Sequence, residues 1–453
     1  MKKIYYIIFV AMIFLLIGCE KELFEYSIYK PSVNEVDSIY FSTGTTSLIA
    51  DGKAKLSFIV ETYRKISIKK ADGSSKDTLV FFDYTELPEG SLKILDGNGT
   101  SVGMTYSTTN PNPGNISFYA QIGQKKSKTK TVTLRVAPTP FAKVTVDVIF
   151  HIFEQNPNDK WYDPLTYQPV TPSILVETIK DLNAVMNNTL GNNANGASAN
   201  IEFRLATHNN SGTMLVNPGM NVITYDNTIK VNQSSTVYSV QDFQAYVNKN
   251  PATIWNPKKY LNVYIIPSGA NNFMYAYRAG YQVVPAGSSP LPGIVPGIAT
   301  AYIGAVAPAV NPPLPSATTY PNGVVASESV VPVYWETAGC IVPRTVLFPG
   351  MNKRLSICLH VGMFYGVYPT VSASPTFNDF CTDTNKFDFN NPNHSVVNSL
   401  KRVGHNGEKF LADNAMDDIR YPSLRNTFTL DQVKRIRWVI ANTPHRNNGI
   451  PAQ

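Results

Sequence analysis

The feature that most constrains this chain is the apolar run LSICLHVGMFYGVYPT at residues 355–370, with Gly362 and Gly366 spaced four apart. Pro349-Gly350 is a turn signal before it, Asn352 is placed to cap it, and Pro369 cannot continue a helix. The spacing therefore predicts a central helix from Asn352 to about Tyr368.

The segments around that helix read as a mixed domain. Residues 144–153, VTVDVIFHIF, form a strong strand. Thr171 can cap the next helix and Pro172 suits its first turn, with Ile174, Leu175, Ile179, Leu182, Val185 and Met186 at helical spacing. Residues 201–207 and 260–266 read as further strands, giving an α+β or α/β pattern. Residues 267–330 are rich in Pro, Gly and Ala, almost uncharged, and expected to carry an edge strand or the lip of a cleft. Thr429-x-x-Gln432 is a capping box opening a last helix, whose Leu430, Val433, Ile436 and Ile440 share one face.

Residues 38–137 are different in kind. Short β-rich runs at 54–60, 79–82, 117–121 and 131–136 alternate with turn signals such as Ala71-Asp72-Gly73, Pro88-Glu89-Gly90 and Asp96-Gly97-Asn98-Gly99. That pattern predicts an all-β, immunoglobulin-like sandwich. Residues 138–143, with Pro138-Thr139-Pro140, read as a stiff linker into a domain at 144–453.

At the start, Lys2 and Lys3 precede an apolar run at 4–17 and then Gly18-Cys19. This is a secretory signal over residues 1–18, shorter than the ~20 residues a membrane span needs. It resembles a bacterial lipoprotein signal. The resemblance implies lipidation at Cys19, a tether over 19–37, and a lipid-anchored protein of the bacterial cell envelope, at the outer membrane on its periplasmic face or the cell surface. Without Lys2 and Lys3 the formal charge falls from +7 to +5, and no dense basic run with interleaved aromatics occurs, which excludes nucleic acid as a partner. Cys340, Cys358 and Cys381 remain, enough for one disulfide in an oxidising compartment with one thiol left over.

Six short segments in order carry a family resemblance: Val148-Ile149-Phe150-His151-Ile152, residues 201–206 (IEFRLA), residues 255–264 (WNPKKYLNVY), residues 379–384 (DFCTDT), Asn414-Ala415-Met416-Asp417, and Phe428-Thr429-x-x-Gln432-x-x-Arg435. Residues 144 to about 442 resemble the pappalysin-type metzincins, and most of all bacterial zinc-dependent metalloproteinase lipoproteins. The resemblance implies a metzincin-like fold: a twisted sheet, a backing helix, an active-site helix, a Met-turn at Met416 and a C-terminal helix.

The same resemblance implies a missing active site. Aligned on Gly362 and Gly366, the zinc motif H-E-x-x-H-x-x-G-x-x-H places its three ligands on Leu359, Met363 and Pro369, and its general base on His360. A catalytic zinc needs three protein ligands and an open position. Leu359 and Pro369 have no donor, and the Met363 thioether is a poor one for zinc. No two of the six histidines share a ligand spacing, and no glutamate lies between Glu336 and Glu408. Zinc, the family's cofactor, is therefore not expected here. Leu359 and Met363 are expected to fill the former metal pocket over Met416, and His360 to be exposed or hydrogen-bonded at the cleft. His151 falls on a strand that is structural in the family. Cys381 matches a family half-cystine whose partner is missing, which leaves it to pair with Cys340, with Cys358, or with neither. The expected function is a pseudo-peptidase that binds protein or peptide in the former substrate cleft. The alternatives are an active metallopeptidase with a rearranged site, and a structural or adhesive lipoprotein acting through the β-rich module.

Overall fold

The computed structural model describes residues 29–112, 114–154, 156–158, 168–224, 240–267, 338–348, 357–376, 379, 381–388, 390, 400–417, 422–442 and 445–446. The expected signal segment and lipidation position Cys19, most of the expected tether, Asn352 and the run 268–337 lie outside the described residues.

The first half consists of strands β1 (Ser38–Ser42), β2 (Ser47–Ala50), β3 (Leu56–Ser57), β4 (Ile59–Lys69), β5 (Ser75–Phe82), β6 (Leu92–Asp96), β7 (Ser101–Val102), β8 (Thr105–Tyr106), β9 (Asn115–Ile122), β10 (Lys125–Lys126) and β11 (Lys130–Val136). One sheet runs β1-β4-β5 and another β2-β11-β9-β6-β7, with β10 on β9 and a separate β3-β8 pair. Gly73 (φ 79°) and Gly99 (φ 82°) take the left-handed backbone that the β4–β5 and β6–β7 turns require. Residues 54–60, expected as a single strand, split at Phe58. Its N–H leaves the ladder for the Met104 carbonyl at 3.1 Å. Its ring lies between Phe41 (centroids 5.5 Å apart) and Phe118 (5.0 Å), joining the two sheets through aromatic contact.

The second half has β12 (Val144–Glu154), α1 (Pro172–Met186), β13 (Ile201–Leu205), β14 (Met220–Thr224), α2 (Val240–Lys249), β15 (Tyr260–Ile266), β16 (Gly339–Pro343), α3 (Cys358–Phe364), β17 (Lys401–Val403), β18 (Lys409–Leu411) and α4 (Leu430–Asn442). The main sheet is ordered β13-β12-β15-β16, with β14 also on β12, and every one of these pairings is parallel. Parallel neighbours need crossover connections, so this sheet is of α/β rather than segregated α+β type.

Alternation along the strands sorts side chains onto two covered faces. Val146, Val148, Phe150 and Ile152 of β12, Leu261, Val263 and Ile265 of β15, and Cys340 and Val342 of β16 join the large core beneath α1, α3 and α4. Phe153, Tyr264, Ile266 and Ile341 face the other way, onto Phe243 and Val247 of α2. Both faces are dry, which explains why β15 and β16 are buried at every residue. In α1 the predicted stripe is buried at Leu175, Ile179, Leu182, Val185 and Met186. Thr171 stands at the N-cap, but its hydroxyl turns to Ser173 Oγ (2.9 Å) and does not cap the backbone.

The two halves meet along an extensive seam. Ile49 donates its N–H to the Ala194 carbonyl (2.9 Å), Lys55 its N–H to the Asn192 carbonyl (2.6 Å), and Ser47 Oγ its proton to Asn195 Oδ1 (2.9 Å). Arg135, at the end of β11, reaches Asp383 at 2.5 Å and Asp431 at 2.7 Å. Burial pushes the Asp383 carboxyl up, and its neighbour Asp431 pushes it further. Burial also pushes Asp431 up, but the Thr382 hydroxyl and Arg135 outweigh it and hold that group down. One guanidinium thus offsets two crowded carboxylates at the first turn of α4.

Candidate functional site

Helix α3 lies against β16 and ends four residues earlier than the sequence pattern suggests. Gly366 takes φ 84°, a conformation L side chains rarely adopt. Its N–H bonds the Met363 carbonyl (2.9 Å), and the Val367 N–H bonds the Gly362 carbonyl (2.9 Å). This pair of bonds is a Schellman stop, and it closes the helix at Phe364. Two buried arginines complete the terminus: Arg435 Nε donates to the Gly366 carbonyl, and Arg446 Nη1 to the Phe364 carbonyl. Cationic donors at a helix C-terminus satisfy both its open carbonyls and its dipole.

The four positions where the zinc chemistry would stand are all buried. Leu359 is 2% exposed, Met363 4% and His360 0%, and Pro369 is also buried. Of the two alternatives for His360, exposed or hydrogen-bonded, exposure is overturned: it is enclosed with the rest of α3, every residue of which is buried. Leu359, Met363, Met416 and Phe428 belong to one apolar cluster. The helix approaches Met416 through Gly362, where a Cβ would come within 2.7 Å of Met416 Sδ and 3.1 Å of the Phe428 ring. Only a glycine admits so close an approach without a shift.

The turn holding Met416 is fixed by hydrogen bonds. Asn414 Oδ1 accepts the Met416 N–H (2.9 Å), and Asn414 Nδ2 donates to Gln432 Oε1 (2.9 Å). Gln432 Oε1 also accepts the Thr429 N–H (3.0 Å), and Thr429 Oγ1 accepts the Gln432 N–H (3.4 Å). The predicted capping box is thus formed, and its glutamine also supports the turn under α3. From α3's side, Thr370 donates its N–H to the Met416 carbonyl (3.1 Å).

The residues present do not fit zinc. The three positions aligned with the ligands carry an alkyl, a thioether and a pyrrolidine side chain, and all three are buried. Among the described residues no group of three or more His, Cys, Asp or Glu side chains could hold a metal.

The Cys340–Cys381 disulfide does not form: both are buried thiols, and Cys358 is buried as well. Cys340 sits in the sheet opposite Val263, whereas Cys381 lies among Asp379, Asp383, Arg435 and Asp431. Burial pushes the Cys340 thiol up to about 12. Burial, followed by Asp379 and Asp383, pushes Cys381 well above the usual thiol range. Neither offers the thiolate that nucleophilic or ligand chemistry needs.

His151 is a structural residue. Asn262 directs its Nδ2 to the Trp255 and Ala338 carbonyls (both 3.0 Å), so its Oδ1 must accept, from the Trp255 N–H (3.1 Å) and from His151 Nε2 (2.8 Å). His151 Nδ1 then accepts from Asn221 Nδ2 (2.9 Å), and the ring stacks on Tyr264 at 5.0 Å. Burial lowers its pKa to about 4, only partly opposed by the bond to Asn262. It is a neutral imidazole joining β12, β14 and β15. Sequence reasoning missed the arginines at the end of α3 and at the seam. Arg435 lay inside a quoted motif, but nothing in its spacing revealed that it reaches a helix terminus.

No family model and no curated protein sequence matches the chain. Among solved structures it is similar to mature mirolysin of Tannerella forsythia in complex with a cleaved peptide, at 16% identity and a TM-score of 0.43, covering 68% of this chain and 96% of that one. A Tannerella forsythia promirolysin variant is similar at 17% identity and a TM-score of 0.43, over 68% of this chain and 84% of that one. So loose a likeness carries no functional argument.

Proposed function

We propose that this chain is a metzincin-like pseudo-peptidase, anchored in a bacterial cell envelope through a lipid on Cys19, that uses a peptidase-shaped scaffold to bind protein or peptide. The observation that carries the reading is the apolar filling of the metal position. Leu359 and Met363, at positions the resemblance assigns to ligands, are buried in the same core as Met416 and Phe428. Burying two such side chains contributes roughly 1.5–3 kcal/mol each, offsetting part of what a structural role for the metal would supply. Around the position, the glycine stop of α3, the turn at Met416 and the capping box support the reading. The anchor rests on the basic start, the short apolar run and Cys19. No described helix is long and apolar enough to cross a membrane.

A rearranged active site would need His360 and at least two other polar side chains converging beside Met416. His360 is wholly enclosed, and no such group exists among the described residues. The test is elemental analysis of the purified full-length protein together with a peptide-library hydrolysis assay. Substoichiometric zinc and no chelator-sensitive cleavage are expected. Stoichiometric zinc with hydrolysis abolished by a chelator would overturn the proposal.

A further inference from the structure

The seam between the two halves holds an open pocket of about 300 Å³, lined from both sides and by no residue of α3. Its polar atoms are lopsided. Asn193 Oδ1, Asn426 Oδ1 and Asp383 Oδ1 are buried acceptors without a hydrogen-bond partner among the described residues. Asp383 is 6% exposed, and its other oxygen takes Arg135 and the Asp431 N–H. The Thr429 hydroxyl also hydrogen-bonds this carboxylate. Asp413, also in the lining, accepts Asn193 Nδ2, and no cation among the described residues pairs with it. Burial pushes its carboxyl up to about 6. Gly191 leaves open the point between the two amides: a Cβ there would lie 2.6 Å from Asn193 Oδ1 and 2.8 Å from Asn426 Nδ2.

Orphaned buried acceptors are costly unless a donor arrives, and here they share one cavity with an unneutralised carboxylate. The lining has no aromatic side chain to stack a sugar ring. The described residues hold no set of three or more metal-ligating acids, histidines or cysteines, and the cavity is far larger than a bare ion.

We propose that the seam cavity binds an organic cation, an ammonium or guanidinium group on a ligand of amino-acid size, whose N–H groups are donated to Asn193, Asn426, Asp383 and Asp413. This site is independent of the pseudo-peptidase reading. Lys55 lines the cavity with an exposed side chain and opposes a cationic guest.

Calorimetric titration of the full-length protein with Nα-acetyl-L-arginine amide tests the idea, with the uncharged citrulline counterpart as control and calcium chloride as a separate titrant. Saturable one-to-one binding is expected, at least tenfold weaker for the citrulline compound and at least tenfold weaker in Asp413→Asn. Lys55→Glu, at an exposed position that cannot unfold the core, should bind at least threefold tighter. The proposal fails if the wild type shows no saturable binding, if the uncharged analogue binds equally, or if Lys55→Glu does not strengthen binding. It also fails if calcium alone saturates the site and excludes the arginine compound.

Discussion

Replacing Gly362 with alanine sets two effects of opposite sign against each other. Helix propensity alone favours alanine by up to about 1 kcal/mol. Against it stands the contact with the turn below: the new Cβ falls 2.7 Å from Met416 Sδ and 3.1 Å from two atoms of the Phe428 ring, where ordinary contact begins at 3.4 Å. Met416 and Phe428 are both fully buried, so neither can step aside into solvent. Overpacking of this kind costs about 1–3 kcal/mol. The clash therefore prevails, with Gly362→Ala expected to destabilise by about 1–2 kcal/mol and to lower Tm by roughly 2–4 °C per kcal/mol. Met416→Ala alone opens a cavity and costs about 2–5 kcal/mol. In the double variant the methyl group added at position 362 enters the vacated space, so the combined loss should fall short of the sum by about 1 kcal/mol or more. Thermal unfolding of the full-length wild type, the two single variants and the double variant measures the cycle. A rise in Tm for Gly362→Ala, or additivity within about 0.5 kcal/mol, would refute direct packing of α3 on the Met416 turn.

Arg135→Met leaves Asp383 and Asp431 crowded without their cation; breaking a buried pair this way costs about 3–5 kcal/mol, with the lower end expected because the arginine side chain is 20% exposed. Measured as Tm relative to wild type at each pH, the deficit should shrink as pH falls and Asp383, whose pKa is raised, takes up a proton, and an unchanged Tm at pH 7.5 would contradict the seam's ion pairs. His151 is held neutral when folded, down to about pH 4, whereas the unfolded chain protonates it below about 6.5. Stability is therefore lost as pH falls through that window, up to about 3 kcal/mol, and His151→Gln should flatten the fall in a difference plot of Tm against pH; parallel curves would show that the imidazole is not held neutral. Cys340, Cys358 and Cys381, all buried, should resist a thiol reagent in the native protein and react together on unfolding, and rapid native labelling of any of them would contradict their placement.

Much of this architecture was legible in the sequence, because local chemistry decided it. The apolar stripe of α1, the strands β12 and β15, the glycine turns and the Thr429–Gln432 box depend on periodicity and near neighbours. The parts that were not legible depend on partners far along the chain. The stop of α3 at Phe364 turns on Gly366 adopting a positive φ, which the apolar pattern running on to Tyr368 conceals. Arg135 finds its carboxylates more than two hundred residues away, a pairing no spacing announces. The burial of His360 follows from α3 being covered on all sides, whereas a one-faced helix would have left it wet. At the candidate site the resemblance alone assigned Leu359, Met363 and Pro369 to ligand positions. That Gly362 is the point of contact with Met416 emerged only from the geometry.

The arginines that close α3 come from the far end of the polypeptide, Arg435 from α4 and Arg446 from beyond it. A chain is synthesised from its N-terminus, so the helix at the centre of the second half is laid down long before the groups that finish it exist. Until those last residues arrive, the carbonyls of Phe364 and Gly366 have only water to bond, and the core above β16 cannot seal. Closure of this helix end thus waits on residues made well after it. A product cut short before Arg435 would lack both guanidinium donors and leave the Phe364 and Gly366 carbonyls open.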